Sequence, residues 1–273
     1  MNGKLNMYKN LAWAIGIVAC LIALVFGFFT AAFSRYGGER QTGGLELGRE
    51  EAPLEVAEPA VQSGTGELIQ VPETADGGQA YLDSLTFLTD SAMIGLRDYG
   101  LLNGGAGTLQ VWATSAGNLP AADMATAAIR YPNDGSQITA ITAAMVAKPE
   151  RLVISLGSDS LKETDRDGFV TAYTELIQGI QKNSPQTVIV CCALCSVTPD
   201  YDGTDGLTAA MCAEANDWIR TVCTDTGVYF ADPGALLRDS NGTLMSEYAS
   251  ANGKTLNSAG VTRVLDFLRA HTV

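Results

Sequence analysis

Histidine is almost missing: the chain of 273 residues has one, His271, near its C-terminus. That scarcity removes the usual general base near neutral pH from most of the molecule. Basic charge is also thin, with 17 Lys and Arg against 30 Asp and Glu, a net charge of -13, and no Lys/Arg run. Phosphate recognition needs a clustered basic surface, so a nucleic-acid partner is not expected. No internal repeat, phosphate-cradling glycine loop or metal-ligand spacing is present, and no organic cofactor or metal is implied. A G-x-S-x-G elbow is absent as well, which argues against the ordinary α/β-hydrolase pattern.

What is present begins with a long apolar run. Residues 11–34 carry no charge, and a helix of that length crosses a bilayer core of about 30 Å. The expectation is a short tail (1–10), a single transmembrane helix (11–34), a flexible acidic linker (35–78) and a folded domain (79–273). A cleaved signal peptide with processing near Thr30-Ala31-Ala32 is the rival, though the run exceeds the usual apolar core of such peptides. Cleavage before Cys20 would leave a long apolar stub and is rejected. Lys4 and Lys9 on one side balance Arg35, Arg40 and Arg49 on the other, so charge does not decide orientation. The linker is rich in Gly, Glu, Pro, Ser and Thr, too poor in large apolar residues to offset the entropy of ordering.

Of six cysteines, Cys20 falls in the apolar run, leaving five for the domain, an odd number. Cys192-Ala-Leu-Cys195, with Cys191 beside it, has a C-x-x-C form but lies in or just after an apolar strand. A structural zinc site needs four ligands and redox pairs usually open a helix. The cysteines therefore read as small buried apolar residues.

From Tyr81 the pattern alternates between short apolar runs and stretches of helical period. Strands are expected at 84–88, 109–113, 151–157, 187–194 and 228–231. Helices are expected at 91–102, 136–147, 166–182, within 205–225, and at 258–271. Such alternation gives right-handed crossovers and a parallel sheet covered by helices, an α/β three-layer sandwich.

Ligands collect at the carboxyl edge of such sheets, which singles out three segments. Thr89-Asp90-Ser91 ends the first strand, although Asp90 or Ser91 there can equally serve as a helix cap. Ile154-Ser-Leu-Gly-Ser-Asp-Ser160 ends a middle strand, and Asn252-Gly-Lys-Thr-Leu-Asn-Ser-Ala-Gly260 leads into the last helix. In order and placement these resemble the SGNH/GDSL hydrolases, over about Tyr81 to Val273, and in particular a membrane-anchored Gram-positive branch of them. The resemblance implies a flavodoxin-like fold, ester hydrolysis without a cofactor, and an extracytoplasmic domain on a single-pass anchor in the cell membrane. Its implied partners are the membrane, through residues 11–34, and a cell-envelope glycan or acyl ester.

Residue by residue, the resemblance puts the nucleophile at Ser91, in Thr-Asp-Ser where Gly-Asp-Ser is usual. Gly117 matches the oxyanion glycine, with an ordinary loop glycine as the alternative. The oxyanion asparagine falls on Asp159, and the Asp-x-x-His pair falls on Asn252 and Thr255. An ionised aspartate cannot donate to an oxyanion, and neither Asn252 nor Thr255 can act as a base. His271 lies too far along the last helix to substitute. Lys254 is the one speculative base, in the manner of Ser-Lys pairs, although its position would normally aim it elsewhere. The expectation is a weakened or inactive domain that binds an envelope ligand, with an active serine esterase using a non-histidine base as the alternative.

Overall fold

The apolar runs of the sequence form a parallel sheet in the computed structural model, which describes residues 66–273. The strands are β1 (Ile69–Gln70), β2 (Leu85–Thr89), β3 (Val111–Trp112), β6 (Arg151–Ser155), β7 (Val188–Cys192) and β8 (Tyr229–Ala231). They pair in the order β1-β8-β7-β6-β2-β3, every pair parallel. A separate antiparallel pair joins β4 (Ala128–Arg130) to β5 (Gln137–Thr139). The helices are α1 (Gly78–Asp83), α2 (Gly95–Asp98), α3 (Ala140–Ala147), α4 (Arg166–Asn183), α5 (Ala209–Thr226) and α6 (Ser258–Arg269).

Because alternate side chains of a strand point to opposite faces, the continuous apolar strands supply two cores. Leu152, Ile154, Ile189 and Cys191 join Phe169, Tyr173, Ile177 and Ile219 of α4 and α5 on one face. Val153, Val190 and Cys192 join Phe87, Val111, Val261, Val264 and Leu268 on the other, against α6. Three layers follow directly, as the alternation predicted. The helix starts are fixed by polar side chains: Asp165, Thr208 and Asn257 accept from the N–H groups of Gly168, Met211 and Gly260, each satisfying a donor that the helix itself leaves free.

Several expectations need correction. The helix foreseen at 91–102 shrinks to α2, preceded by turns and followed by Gly100 at φ 67°. Its three-residue apolar spacing comes from a turn segment packing Met93 and Leu96 into the core. Residues 137–139 are a strand, and α3 starts only after Thr139, whose hydroxyl caps it. The end of the expected linker belongs to the folded domain: Ile69 and Gln70 pair with Tyr229 and Phe230, and the Thr74 N–H donates to the Ala270 carbonyl at 2.7 Å. Two edge residues among Gly, Pro and acidic neighbours are too short a run to show a strand period. The proposed tail, transmembrane helix and linker up to residue 65 lie outside the described residues. Among the described residues, no helix is long and apolar enough to cross a membrane.

The chain passes from β2 outward to β3 and later returns to place β6 on the opposite side of β2. The carboxyl ends of β2 and β6 therefore flank a topological switch point, where open α/β sheets bind ligands. Asp90 and Ser91 leave one of these ends, and residues 156–159 leave the other.

Candidate active site

The loop after β2 is held by Asp90, which is 1% exposed. Its Oδ2 accepts from the backbone N–H groups of Gly157 and Ser158 at 3.0 and 2.8 Å and from the Ser158 hydroxyl at 2.9 Å. Its Oδ1 accepts from the Ala92 N–H at 3.1 Å. Asp90 thus staples the β2 loop to the β6 loop and is no helix cap, since α2 starts several residues later. Burial first, and then the nearby Asp159 carboxylate, raise its pKa from 3.8 to about 6, in keeping with the cost of charging a buried acid.

Ser91 and Asp159 meet across that staple. Asp159 Oδ2 accepts from the backbone N–H of Ser91 at 3.1 Å and of Leu119 at 2.8 Å. Asp159 Oδ1 accepts the Ser91 hydroxyl proton and a proton of Lys254 Nζ, the latter at 2.8 Å. Two carboxylate oxygens offer about four lone-pair sites, so the four donors saturate the group. The Asp159 carbonyl is occupied too, accepting from the Ala121 N–H at 2.9 Å.

Lys254 is 7% exposed and, contrary to expectation, points into the site. Nζ also donates to Asp205 Oδ2 at 2.9 Å and to the Ser158 carbonyl at 3.3 Å. Gly253, at φ 71°, permits the turn that aims it there, a conformation that glycine adopts without a Cβ clash. Burial alone would favour the neutral amine, but Asp159 and Asp205 outweigh it and lift the ammonium pKa above the ordinary lysine value. A cation so held cannot accept the serine proton, so the ion pair removes the speculative lysine base in this arrangement. Asp205 is partly buried, which opposes its ionisation, yet hydrogen bonds from Lys254 and Tyr201 prevail and lower its pKa.

Asn252 and Thr255 sit in the same cluster. The Thr255 hydroxyl donates to the Ser91 carbonyl at 3.0 Å, and Asn252 Nδ2 donates to Thr255 Oγ1 at 3.0 Å. Asn252 Oδ1 accepts from the N–H groups of Lys254 and Thr255, at 3.1 and 2.9 Å, and so shapes the turn. Gly117 does not converge on Ser91: its N–H donates to the Thr114 carbonyl at 3.1 Å and hydroxyl at 3.0 Å. The backbone donor is Leu119, two residues on, where the sequence offered no signal because any residue supplies an N–H. His271 follows the C-terminal end of α6, where its ring stacks on Phe267 with centroids 3.8 Å apart.

Sequence reasoning also missed Asp205, which accepts from the Tyr201 hydroxyl at 2.7 Å and from the Leu207 N–H at 3.1 Å. It lies in a loop beyond β7 with no motif around it. The cysteines, by contrast, behave as read: Cys191, Cys192, Cys195, Cys212 and Cys223 are free and buried.

Chemically, the N–H groups of Ser91 and Leu119 converge on one point, Asp159 Oδ2, the arrangement that stabilises an oxyanion during acyl transfer, with the serine hydroxyl held beside it by Oδ1. Here the chain's own carboxylate fills that point, neutralised by Lys254.

Several solved structures are similar to parts of this chain. A structure from Streptococcus pneumonia assigned as a platelet activating factor is similar over 66% of this chain and 79% of that one, at 16% identity and a TM-score of 0.49. A carbohydrate esterase family 3 structure from Talaromyces cellulolyticus covers 66% of this chain and 91% of its own, at 13% identity and a TM-score of 0.41. An acetyl esterase serine-to-alanine mutant with acetate ion covers 68% and 92%, at 12% identity and a TM-score of 0.41. A search of curated protein sequences found no match. The GDSL-like lipase/acylhydrolase model matches residues 90–260, more than half of the sequence and the whole span from Asp90 to Gly260 that builds the site, and the chain belongs to that family.

Proposed function

We propose that this chain is a weakened or inactive member of its family, a pseudoenzyme-like domain on the outer face of the cell membrane that binds a cell-envelope ligand such as an acylated glycan. One observation carries the reading: the Asp159 carboxylate occupies the N–H groups of Ser91 and Leu119 and the Ser91 hydroxyl together. An ester's carbonyl oxygen needs those N–H groups and its carbonyl carbon needs a free serine oxygen, and a developing oxyanion beside a carboxylate is repelled where a neutral amide would stabilise it. Losing a single oxyanion donor costs about a hundredfold to a thousandfold in rate. No side chain described around Ser91 combines a neutral state with a free lone pair directed at its hydroxyl. The uncharged run at residues 11–34 supports the anchor.

A second reading rests on the same contact. Because Ser91 donates to Asp159, the carboxylate could take the serine proton, making the chain an active esterase with an aspartate base in place of histidine. It would be slow, since a carboxylate is a weak base at neutral pH.

The readings separate in one experiment. Wild type and Ser91→Ala are compared for hydrolysis of a short-chain aryl ester between pH 6 and pH 10, with labelling by a serine-directed fluorophosphonate. Equal rates and no labelling at Ser91 are expected. A rate and a label that both vanish with Ser91 would overturn the inactive reading in favour of the esterase.

A further inference from the structure

The groups around Asp159 are arranged about its own carboxyl carbon. One oxygen, Oδ2, accepts from the backbone N–H groups of Ser91 and Leu119 at 3.1 and 2.8 Å. The other, Oδ1, accepts the Ser91 hydroxyl proton and lies 2.8 Å from Lys254 Nζ. Nζ in turn lies 2.9 Å from Asp205 Oδ2 and 3.3 Å from the Ser158 carbonyl. The side chains of Lys254 and Asp159 are each 9% exposed, and that of Asp205 is 26% exposed. Three parts of an acyl-transfer site are therefore held together away from solvent: an amine, a carboxyl group with two oxyanion donors on its far oxygen, and a second carboxylate beside the amine. A surface ion pair has neither the oxyanion donors nor the second carboxylate.

We infer that this domain cross-links itself, joining Lys254 Nζ to Asp159 Cγ in an intramolecular amide with loss of one water. Ammonium and carboxylate are the resting state. Transfer of a proton from Nζ to Oδ1 gives a neutral amine against a carboxylic acid, a pair that burial disfavours less than it does two charges. The amine lone pair attacks Cγ, and the carbonyl electron pair moves onto Oδ2, where the two N–H groups stabilise it. Asp205 Oδ2 takes a second proton from the nitrogen and returns it to the Oδ1 hydroxyl. The Cγ–Oδ1 bond breaks and water leaves; the nitrogen keeps one proton and Asp205 is again a carboxylate.

Because Asp159 and Asp205 hold the proton on Lys254, the reactive pair is rare and the step slow, but each chain needs it only once. The product removes two buried charges, whose desolvation is costly, and ties the loop after β6 to the turn before α6. Asp205 keeps the Tyr201 hydroxyl and the Leu207 N–H as donors. The bond is independent of the ligand reading above, since carboxylate and amide alike keep an Asp159 oxygen on the Ser91 and Leu119 N–H groups.

The test is the mass of the purified full chain under denaturing conditions. It should fall below the sequence mass by one water, and trypsin should release residues 152–162 joined to residues 239–263, uncleaved after Lys254. Lys254→Arg, which keeps the cation but lacks the amine nucleophile, and Asp159→Ala should both have full mass, with folding checked by far-ultraviolet circular dichroism. Asp205→Asn, which cannot take the proton, should slow closure by about a hundredfold and leave unlinked chain in fresh preparations. A folded wild-type chain of full mass, a deficit that survives Lys254→Arg, a link to Asp205 in place of Asp159, or closure unaffected by Asp205→Asn would each overturn the inference. A full-mass wild type would leave the inactive reading of Ser91 standing, so the two fail separately.

Discussion

Thr255 donates its hydroxyl proton to the Ser91 carbonyl at 3.0 Å, so the side chain at position 255 lies directly against the serine loop. A larger side chain rooted there starts next to Ser91. Asn252, at the other end of the same turn, already contacts Thr255.

Restoring the family pattern by Asp159→Asn, Asn252→Asp and Thr255→His together should therefore create esterase activity. The amide returns a donor to the oxyanion point and the imidazole supplies a base, a step that contributes about a hundredfold or more. Hydrolysis of an aryl ester by the triple variant, dependent on Ser91, is the readout. A folded triple variant with no gain would show that the Ser91 loop cannot be completed from position 255.

Lys254 neutralises two carboxylates, Asp159 and Asp205, at 2.8 and 2.9 Å. Removing one partner of a buried ion pair usually costs about 3–5 kcal/mol, because the stranded charge has no solvent to replace it. Lys254→Met should destabilise the chain by that order in urea unfolding. The cost should fall in an Asp159→Asn background; equal costs in both backgrounds would mean that Asp205 alone determines the effect.

Asp90 gives a pH dependence of definite sign. Its folded pKa of about 6 lies above the ordinary 3.8, so between those values the folded chain binds more protons than the unfolded one. Its contribution to stability is complete below about pH 4 and is lost as pH rises through about 6. A two-unit shift corresponds to about 3 kcal/mol. Unfolding free energies of wild type and Asp90→Asn, compared from pH 4 to pH 7, should diverge in the variant's favour by up to that order; a constant difference would contradict the assignment.

Gly157 has φ 122°, and a Cβ there would lie 2.7 Å from the Phe169 ring. Its N–H is also one of the donors to Asp90. Gly157→Ala should cost about 2 kcal/mol or more through backbone strain and core displacement, measurable as a lowered denaturation midpoint with an unchanged slope.

Much of the fold was readable because the buried parallel strands are short continuous apolar runs. Arg151–Ser155 and Val188–Cys192 stand out for that reason, and α4 shows its apolar residues at helical spacing. β1 and the β4–β5 pair were invisible: two or three residues carry no period, and their pairing depends on partners distant in sequence. At the site, Ser91 and Asp159 were legible as strand-end residues. The donor role of Leu119 was not, since a backbone N–H leaves no mark in the sequence. Nor was the direction of Lys254, which depends on the tight turn at Gly253 and on Asp205, a carboxylate from another loop.

The buried cysteines give the domain an internal clock. All five thiols of the described domain are shielded, and burial raises the pKa of Cys192, Cys195 and Cys212, which leaves little reactive thiolate in the closed state. Cys191 and Cys192 belong to opposite layers. Alkylation must then wait for the sheet to open, and the order in which the two sulfurs react would report which layer peels away first.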